Sequence, residues 1–196
     1  MAEYASNYIA YLQVAARTGA TVEVVANDEH GQLDVERLTG MIDDRVRLIS
    51  VTHIPTNGGL INPVNAIGAV ARDAGALFLV DACQSVGQVP VDVTQMQCDL
   101  LSTTGRKYLR GPRGSGFLYV RREILEQLDP IMLDLHAAQW TAQDSYTVRA
   151  DARRFENWET NYAAKIGLGV ALDYANAFGI ESIWERINAL ATSLRS

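Results

Sequence analysis

Lys107 stands in a setting suited to covalent chemistry. It closes the stretch Ser102-Thr103-Thr104-Gly105-Arg106-Lys107, which follows the short apolar run Leu100-Leu101, and the glycine-rich turn Gly111-Pro112-Arg113-Gly114-Ser115-Gly116 comes soon after. A lysine amine becomes a nucleophile toward an aldehyde when desolvation or neighbouring positive charge makes its free form available; Arg106 and nearby apolar residues can supply both. One run earlier, Ala76-Leu77-Phe78-Leu79-Val80 ends abruptly in Asp81, with Ala82, Cys83 and Gln84 after it. A carboxylate at one strand's carboxyl end and a lysine past the next can face the same crevice of an open α/β sheet. Taken singly, each group has a plainer use: Lys107 as a surface ion-pair partner, Asp81 as a turn acid, Thr104 as a turn hydroxyl, Arg106 as a solvated charge. Their conjunction is what points to a site.

Such a crevice needs strands that end together. Leu77 to Val80, a run ending near Ser102, and Gly116 to Val120 read as strands, as does the β-branched run Val46 to Thr52. Thr21 to Val25 reads as a further strand, followed by a polar loop from Asn27 to Gly31. Tyr4, Tyr8, Leu12 and Ala15 recur at helical spacing before Gly19, which predicts a first helix of about fifteen residues. Asp34 can cap a short helix carrying Val35, Leu38 and Ile42. Asn62-Pro63 opens another, with Ile67, Val70 and Ala71 as its apolar stripe and Gly75 as its stop. His53 to Gly59 is too rich in Pro and Gly for either regular element. From Asp129 to about Arg153 the periodicity is lost, and His136, Trp140 and Tyr146 sit among polar neighbours, which predicts a long functional or partner-facing loop. Tyr162 to Phe178 reads as a helix, and Ile183, Ile187, Leu190 and Leu194 mark a last one. Strands alternating with helices indicate a three-layer α/β fold: a mainly parallel or mixed sheet with helices on both faces. No repeat, low-complexity tract or linker divides the chain, so residues 1–196 are expected to form a single domain.

Composition narrows the function classes. The 196 residues are 48% hydrophobic and 20% charged, ordinary for a soluble globular domain. A net charge of -6 without a dense Lys/Arg run argues against nucleic acid held by phosphate contacts. No apolar run is long enough to span a bilayer, and Met1-Ala2-Glu3-Tyr4 opens with no basic segment followed by an apolar core, so a soluble, unexported protein is expected. Cys83 and Cys98 form neither a CxxC pair nor a disulfide framework, which fits a reducing cytoplasm. No His/Cys cluster at ligand spacing appears, so a zinc site is not expected.

At Asp81-Ala82-Cys83-Gln84 and Thr104-Gly105-Arg106-Lys107 the chain resembles the class V aminotransferase and cysteine desulfurase family, pyridoxal-phosphate (PLP) enzymes of fold type I. The resemblance implies a PLP-dependent transferase-like large domain and an amino acid substrate bound through a lysine Schiff base. It makes Lys107 that lysine, carrying also the proton at the substrate α-carbon; Asp81 the partner of the pyridine nitrogen; and Gln84 a donor to the cofactor's phenolic oxygen. Thr104 and Arg106 become phosphate ligands, with Arg106 where the family often has His. Glu3-Tyr4 resembles a Glu-His pair whose ring stacks on the cofactor; Tyr4 can stack likewise or can simply pack as a helix residue. In the His53 to Gly59 loop the residue near the cofactor ring falls on Thr56, with Asn57 beside it as the alternative. Arg154-Phe155-Glu156-Asn157-Trp158-Glu159 resembles an Arg-Phe-Glu-x-Gly-Thr segment, with Trp158 and Glu159 in place of the Gly-Thr that reaches a partner's phosphate. Complete members extend further at both ends, with a phosphate loop upstream and a small domain downstream that supplies an arginine for the substrate carboxylate. The chain is thus expected to be a central large-domain portion, homodimeric by resemblance, with Cys83 and Cys98 both distinct from the desulfurase sulfur acceptor. A noncatalytic core that binds only cofactor or a partner chain is the alternative.

Overall fold

The computed structural model describes residues 3–196; Met1 and Ala2, read above as part of a start without a leader, lie outside the described residues. Four strands, β1 (Leu48–Thr52), β2 (Leu77–Asp81), β3 (Leu100–Thr104) and β4 (Gly116–Val120), form one sheet in the order β1-β2-β3-β4. β1, β2 and β3 are parallel, and β4 returns antiparallel to β3. The three parallel strands therefore end on one edge, at Thr52, Asp81 and Thr104.

Register assigns the two faces. Ile49 pairs with Phe78 and Val51 with Val80, which in turn pairs with Leu101, so these apolar side chains share one side. α3 (Val64–Ala74) covers that side with Ile67 and Ala71, and α2 (Val35–Met41) packs behind it through Leu38. Ser50, Thr52, Asp81 and Ser102 point the other way, toward α1 (Ala5–Thr18), whose Tyr11 hydroxyl lies 2.6 Å from Ser50 Oγ. Helices on both faces of a mainly parallel sheet agree with the three-layer expectation. Leu77, Leu100 and Val120 continue the α1 side and pack against Ile124, Leu125 and Phe155 of two short 3₁₀ turns.

Contact between α3 and the sheet side is close. A Cβ on Gly68 would stand 1.9 Å from the Met96 carbonyl oxygen and 3.3 Å from Phe78 Cε1. Gly68→Ala must push α3 off the sheet; overpacking of this kind costs about 3 kcal/mol. For a chain of this size that lowers the melting temperature by about 6 to 12 °C. An unchanged melting temperature would contradict this packing.

Several local expectations need correction. Thr21 to Val25 forms no strand: among the described residues the segment has no ladder partner, the one nearby bridge being Asn27–Leu33, so its β-branched content had no strand to pair with. Asn62 does not cap α3, whose first flanking residue is Pro63. Its buried side chain instead accepts from Leu33 N–H at 2.8 Å and donates to the Thr52 carbonyl at 2.8 Å, tying the loop after β1 to the strand it leaves. Residues 129–153 are not all loop. They contain the antiparallel hairpin β5 (Ala138–Ala142) and β6 (Ser145–Val148), with Trp140 opposite Tyr146. α4 (Tyr162–Phe178) and α5 (Ile180–Arg195) follow as expected, α4 capped by Asn161, which accepts from Ala164 N–H.

Candidate active site

The residues singled out for chemistry gather at the carboxyl edge of the parallel strands, on the α1 side. Asp81 ends β2 and is 6% exposed, too buried for a carboxylate without partners. Its Oδ1 accepts from Cys83 N–H at 2.9 Å and its Oδ2 from Asn7 Nδ2 at 2.7 Å. An ionised carboxylate accepts at about four lone-pair sites, so Asp81 keeps capacity for a further donor.

Lys107 reaches this place because β3 delivers it there and the following turn holds it. Thr104 ends β3, Gly105 N–H bonds the Ser115 carbonyl at 2.8 Å, and Gly111 N–H returns to the Gly105 carbonyl at 2.7 Å. A side chain at Gly105 would meet Ser115 Oγ at 2.5 Å and Leu168 Cδ1 of α4 at 2.8 Å, so glycine alone lets the turn close against that helix. Arg110 donates its N–H to the Lys107 carbonyl at 2.9 Å while adopting φ 59°, a left-handed conformation rare for arginine. Its guanidinium lies 4.9 Å from the Tyr174 ring centroid on α4, which anchors the turn from the other end. Lys107 is half-buried, with Nζ 5.9 Å from the Tyr4 ring centroid.

Cys83 reports the field at the centre. Its thiol is pushed up to about 12, first by burial and then by the Asp81 carboxylate, while Lys107 and Arg106 pull the other way. At such a value Cys83 stays protonated, unsuited to act as a sulfur nucleophile. Cys98, buried near the opposite sheet edge and raised to about 11 mainly by burial, is no better suited. The start of α1 links the acid to the amine: Asn7 bonds Asp81, and the ring of Tyr4, three residues before it, lies 5.9 Å from Lys107 Nζ.

Other expected site residues are placed less decisively. Gln84 is half-buried in the turn after Asp81, and its backbone carbonyl accepts from Gln88 Nε2. Thr104 is half-buried and Arg106 exposed, both beside Lys107 along the chain. Thr56 lies exposed in the loop after β1 and makes no hydrogen bond to the other site residues among those described. The loop begins at the site, however, since His53 N–H bonds the Asp81 carbonyl at 3.0 Å. The His53 ring is buried, which lowers its pKa to about 4 and keeps it neutral.

Arg154 and Glu156 have structural duties. Arg154 is 8% exposed, with its guanidinium donating to the Arg149 and Leu125 carbonyls. Glu156 accepts from His136 at 3.1 Å and Lys165 at 3.0 Å. These contacts tie the hairpin and the 3₁₀ turns to α4 and are those of a charged approach to that helix. Sequence reasoning passed over Asn7 and Arg110, although a polar residue within one helical turn of Tyr4 and an arginine before Gly111 were visible cues.

The sequence matches the family Aminotransferase class-V over residues 1–196. The chain belongs to the class-V aminotransferase family. Among its relatives in the family is a probable cysteine desulfurase of Methanothermobacter thermautotrophicus, 39% identical over 181 residues, covering 92% of this chain and 45% of the relative. A solved cysteine desulfurase from Escherichia coli superposes with a TM-score of 0.86 at 28% identity, covering 92% of this chain and 45% of that one. A mutant of C-DES with glycine covalently linked to its PLP cofactor gives a TM-score of 0.82 at 26% identity, over 94% of this chain and 50% of that one. The chain therefore spans about half the length of the class-V relatives it matches. What it does span has the fold of those solved structures, a mainly parallel sheet flanked by helices.

Proposed function

We propose that this chain is the PLP-binding large domain of a class-V enzyme acting on an amino acid, with Lys107 as the Schiff-base lysine. One observation carries the reading: Asn7 bonds the Asp81 carboxylate at 2.7 Å while the ring of Tyr4, one helical turn before it, lies 5.9 Å from the Lys107 amine, so the same stretch of chain meets both the acid and the amine. The donor set suits the cofactor. A buried carboxylate with unused acceptor capacity matches a protonated ring nitrogen, Arg106 and the Thr104 hydroxyl match a phosphate dianion, and Tyr4 presents an aromatic face. PLP, when bound, supplies an electron sink for carbanion chemistry at an amino acid's α-carbon.

In this reading Asp81 would pair with the ring nitrogen, and the N–H donors from Cys83 and Asn7 orient its carboxylate. Lys107 Nζ would hold the cofactor aldehyde, and the same amine is the group that could move the proton at the substrate α-carbon. Gln84 is assigned to the phenolic oxygen, and Thr56 to the ring edge. The names of the relatives favour a sulfur-bearing amino acid, but Cys83 and Cys98 are not poised to receive sulfur, so persulfide transfer would need a thiol beyond these two. The site is tested by adding PLP: an absorption band near the visible edge that disappears in Lys107→Ala supports it, and a chain that stays colourless leaves only a folded scaffold.

A homodimer in a reducing cytoplasm belongs to the same proposal. Two unpaired thiols support the compartment. The exposed apolar stripe Tyr162, Ile166, Val170, Tyr174 and Phe178, one residue per turn along α4, supports a partner surface. Size measured over a dilution series should show a single dimer that persists; a spread of species would count against a specific interface.

A further inference from the structure

Two carboxylates from different elements meet across one amide. Asn7 Nδ2 lies 2.7 Å from Asp81 Oδ2 and 3.0 Å from Glu3 Oε1. Ionised carboxylates only accept, so the amide must present its nitrogen to both, and both of its N–H groups are committed. Glu3 is fixed in turn, accepting from Thr52 Oγ1 at 2.5 Å and from Tyr4 N–H at 2.7 Å. Asp81 is therefore gripped on each oxygen: Oδ1 by the Cys83 amide of its own turn, Oδ2 by a residue 74 positions away in the chain. Apolar packing does not explain this contact, because α1 buries none of its residues.

We infer that Asn7 is a positioning residue that fixes the rotamer of the Asp81 carboxylate, with Glu3 holding Asn7 in place. Its consequence for catalysis rests on the proposed cofactor site; its geometry does not. Both oxygens must be held for a carboxylate to keep one direction toward a ring nitrogen, and the Cys83 amide holds only one.

Asn7→Asp tests this, because it preserves volume while turning a two-donor group into an acceptor between two acids. The charged and titratable groups around that position are Glu3, just before α1, and Asp81, both bonded to Asn7; Tyr11, whose hydroxyl senses that pair; and Cys83 beside Asp81, with Lys107 and Arg106 acting on its thiol from the turn after β3. At about pH 8 the introduced acid is charged and repelled; near about pH 5.5 the flanking carboxylates favour its protonation, which restores one donor.

The first readout needs no cofactor. Amide hydrogen exchange at Cys83, corrected for intrinsic rate, should be about tenfold faster in Asn7→Asp at the higher pH and near wild type at the lower, while Asn7→Ala is fast at both. The second is the dissociation constant for PLP, expected to weaken about tenfold with the same pH pattern. Unchanged Cys83 exchange in both variants, or a shift in Asn7→Asp that ignores pH, overturns the inference. Faster exchange in a protein that takes up no PLP would uphold the positioning role and defeat the cofactor reading instead. Melting temperatures near wild type, expected because the position is only half-buried, separate either result from loss of fold.

Discussion

Lys107→Ala abolishes covalent capture of PLP and lowers α-proton chemistry by about a thousandfold or more, the loss expected when a nucleophile and a general base are one and the same group. The effect is local. Lys107 is half-buried in a turn held by backbone bonds from Gly105, Gly111 and Arg110, and none of these uses its side chain. Substitutions of this kind change stability by about 0.5 kcal/mol or less, so the folded fraction should be unaffected. Exchange of the substrate α-hydrogen with deuterated solvent, followed by mass, reads the chemistry without presuming which product the whole enzyme makes. Lys107→Arg supplies the control for charge: it keeps a cation beside Arg106 but no amine able to form the link. If Lys107→Arg captured PLP as wild type does, the phosphate-binding cations rather than the amine would be the functional unit.

Asp81→Asn should divide binding from turnover. The asparagine oxygen can still accept from Cys83 N–H, so the turn after β2 survives, and Lys107 can still form its bond to the aldehyde. What is lost is the buried charge that the proposed site sets opposite the ring nitrogen. Leaving one partner of a buried charged pair alone costs about 3 to 5 kcal/mol, a decrease of about a hundred- to a thousandfold or more in α-hydrogen exchange. The absorption band should remain. The new amide also turns a donor toward Asn7 Nδ2, now 2.7 Å away from a group that no longer accepts, so a modest fall in melting temperature is expected as well. Exchange within a few-fold of wild type would mean that Asp81 is only a turn acid.

The residues that carry these predictions were legible because their surroundings punctuate sharply. β2 is an apolar run cut off by an acid, and β3 an apolar pair leading through hydroxyls to glycine, so strand ends and the groups beyond them could be read directly. The limits of α4 were equally clear, with Gly179 closing an alanine-rich run at helical spacing, whereas its cap Asn161 was not singled out. The hairpin β5–β6 escaped because its strands are exposed except at their paired ends, Ala138 and Val148, leaving no apolar alternation; only the β-forming Trp140, Thr141, Tyr146, Thr147 and Val148 hinted at it. Thr21 to Val25 misled in the opposite sense, since β-branched residues favour an extended chain but a strand exists only beside another. Asn62 and Asn7 share a third cause. Each is a short amide with a decisive partner far along the chain, 29 positions away for Asn62 and 74 for Asn7, and local patterns of capping and spacing carry no information about such contacts.

The central claim is that one amine, Lys107, holds the aldehyde, and the sequence provides its own control because it contains only two lysines, Lys107 and Lys165. Lys165 sits on α4, paired to Glu156 at 3.0 Å. Reduction of the PLP-loaded protein with borohydride, followed by proteolysis and peptide mass mapping, should find the pyridoxyl label on the peptide bearing Lys107 and leave Lys165 unmodified. A label shared equally between the two lysines, or confined to Lys165, would contradict the account.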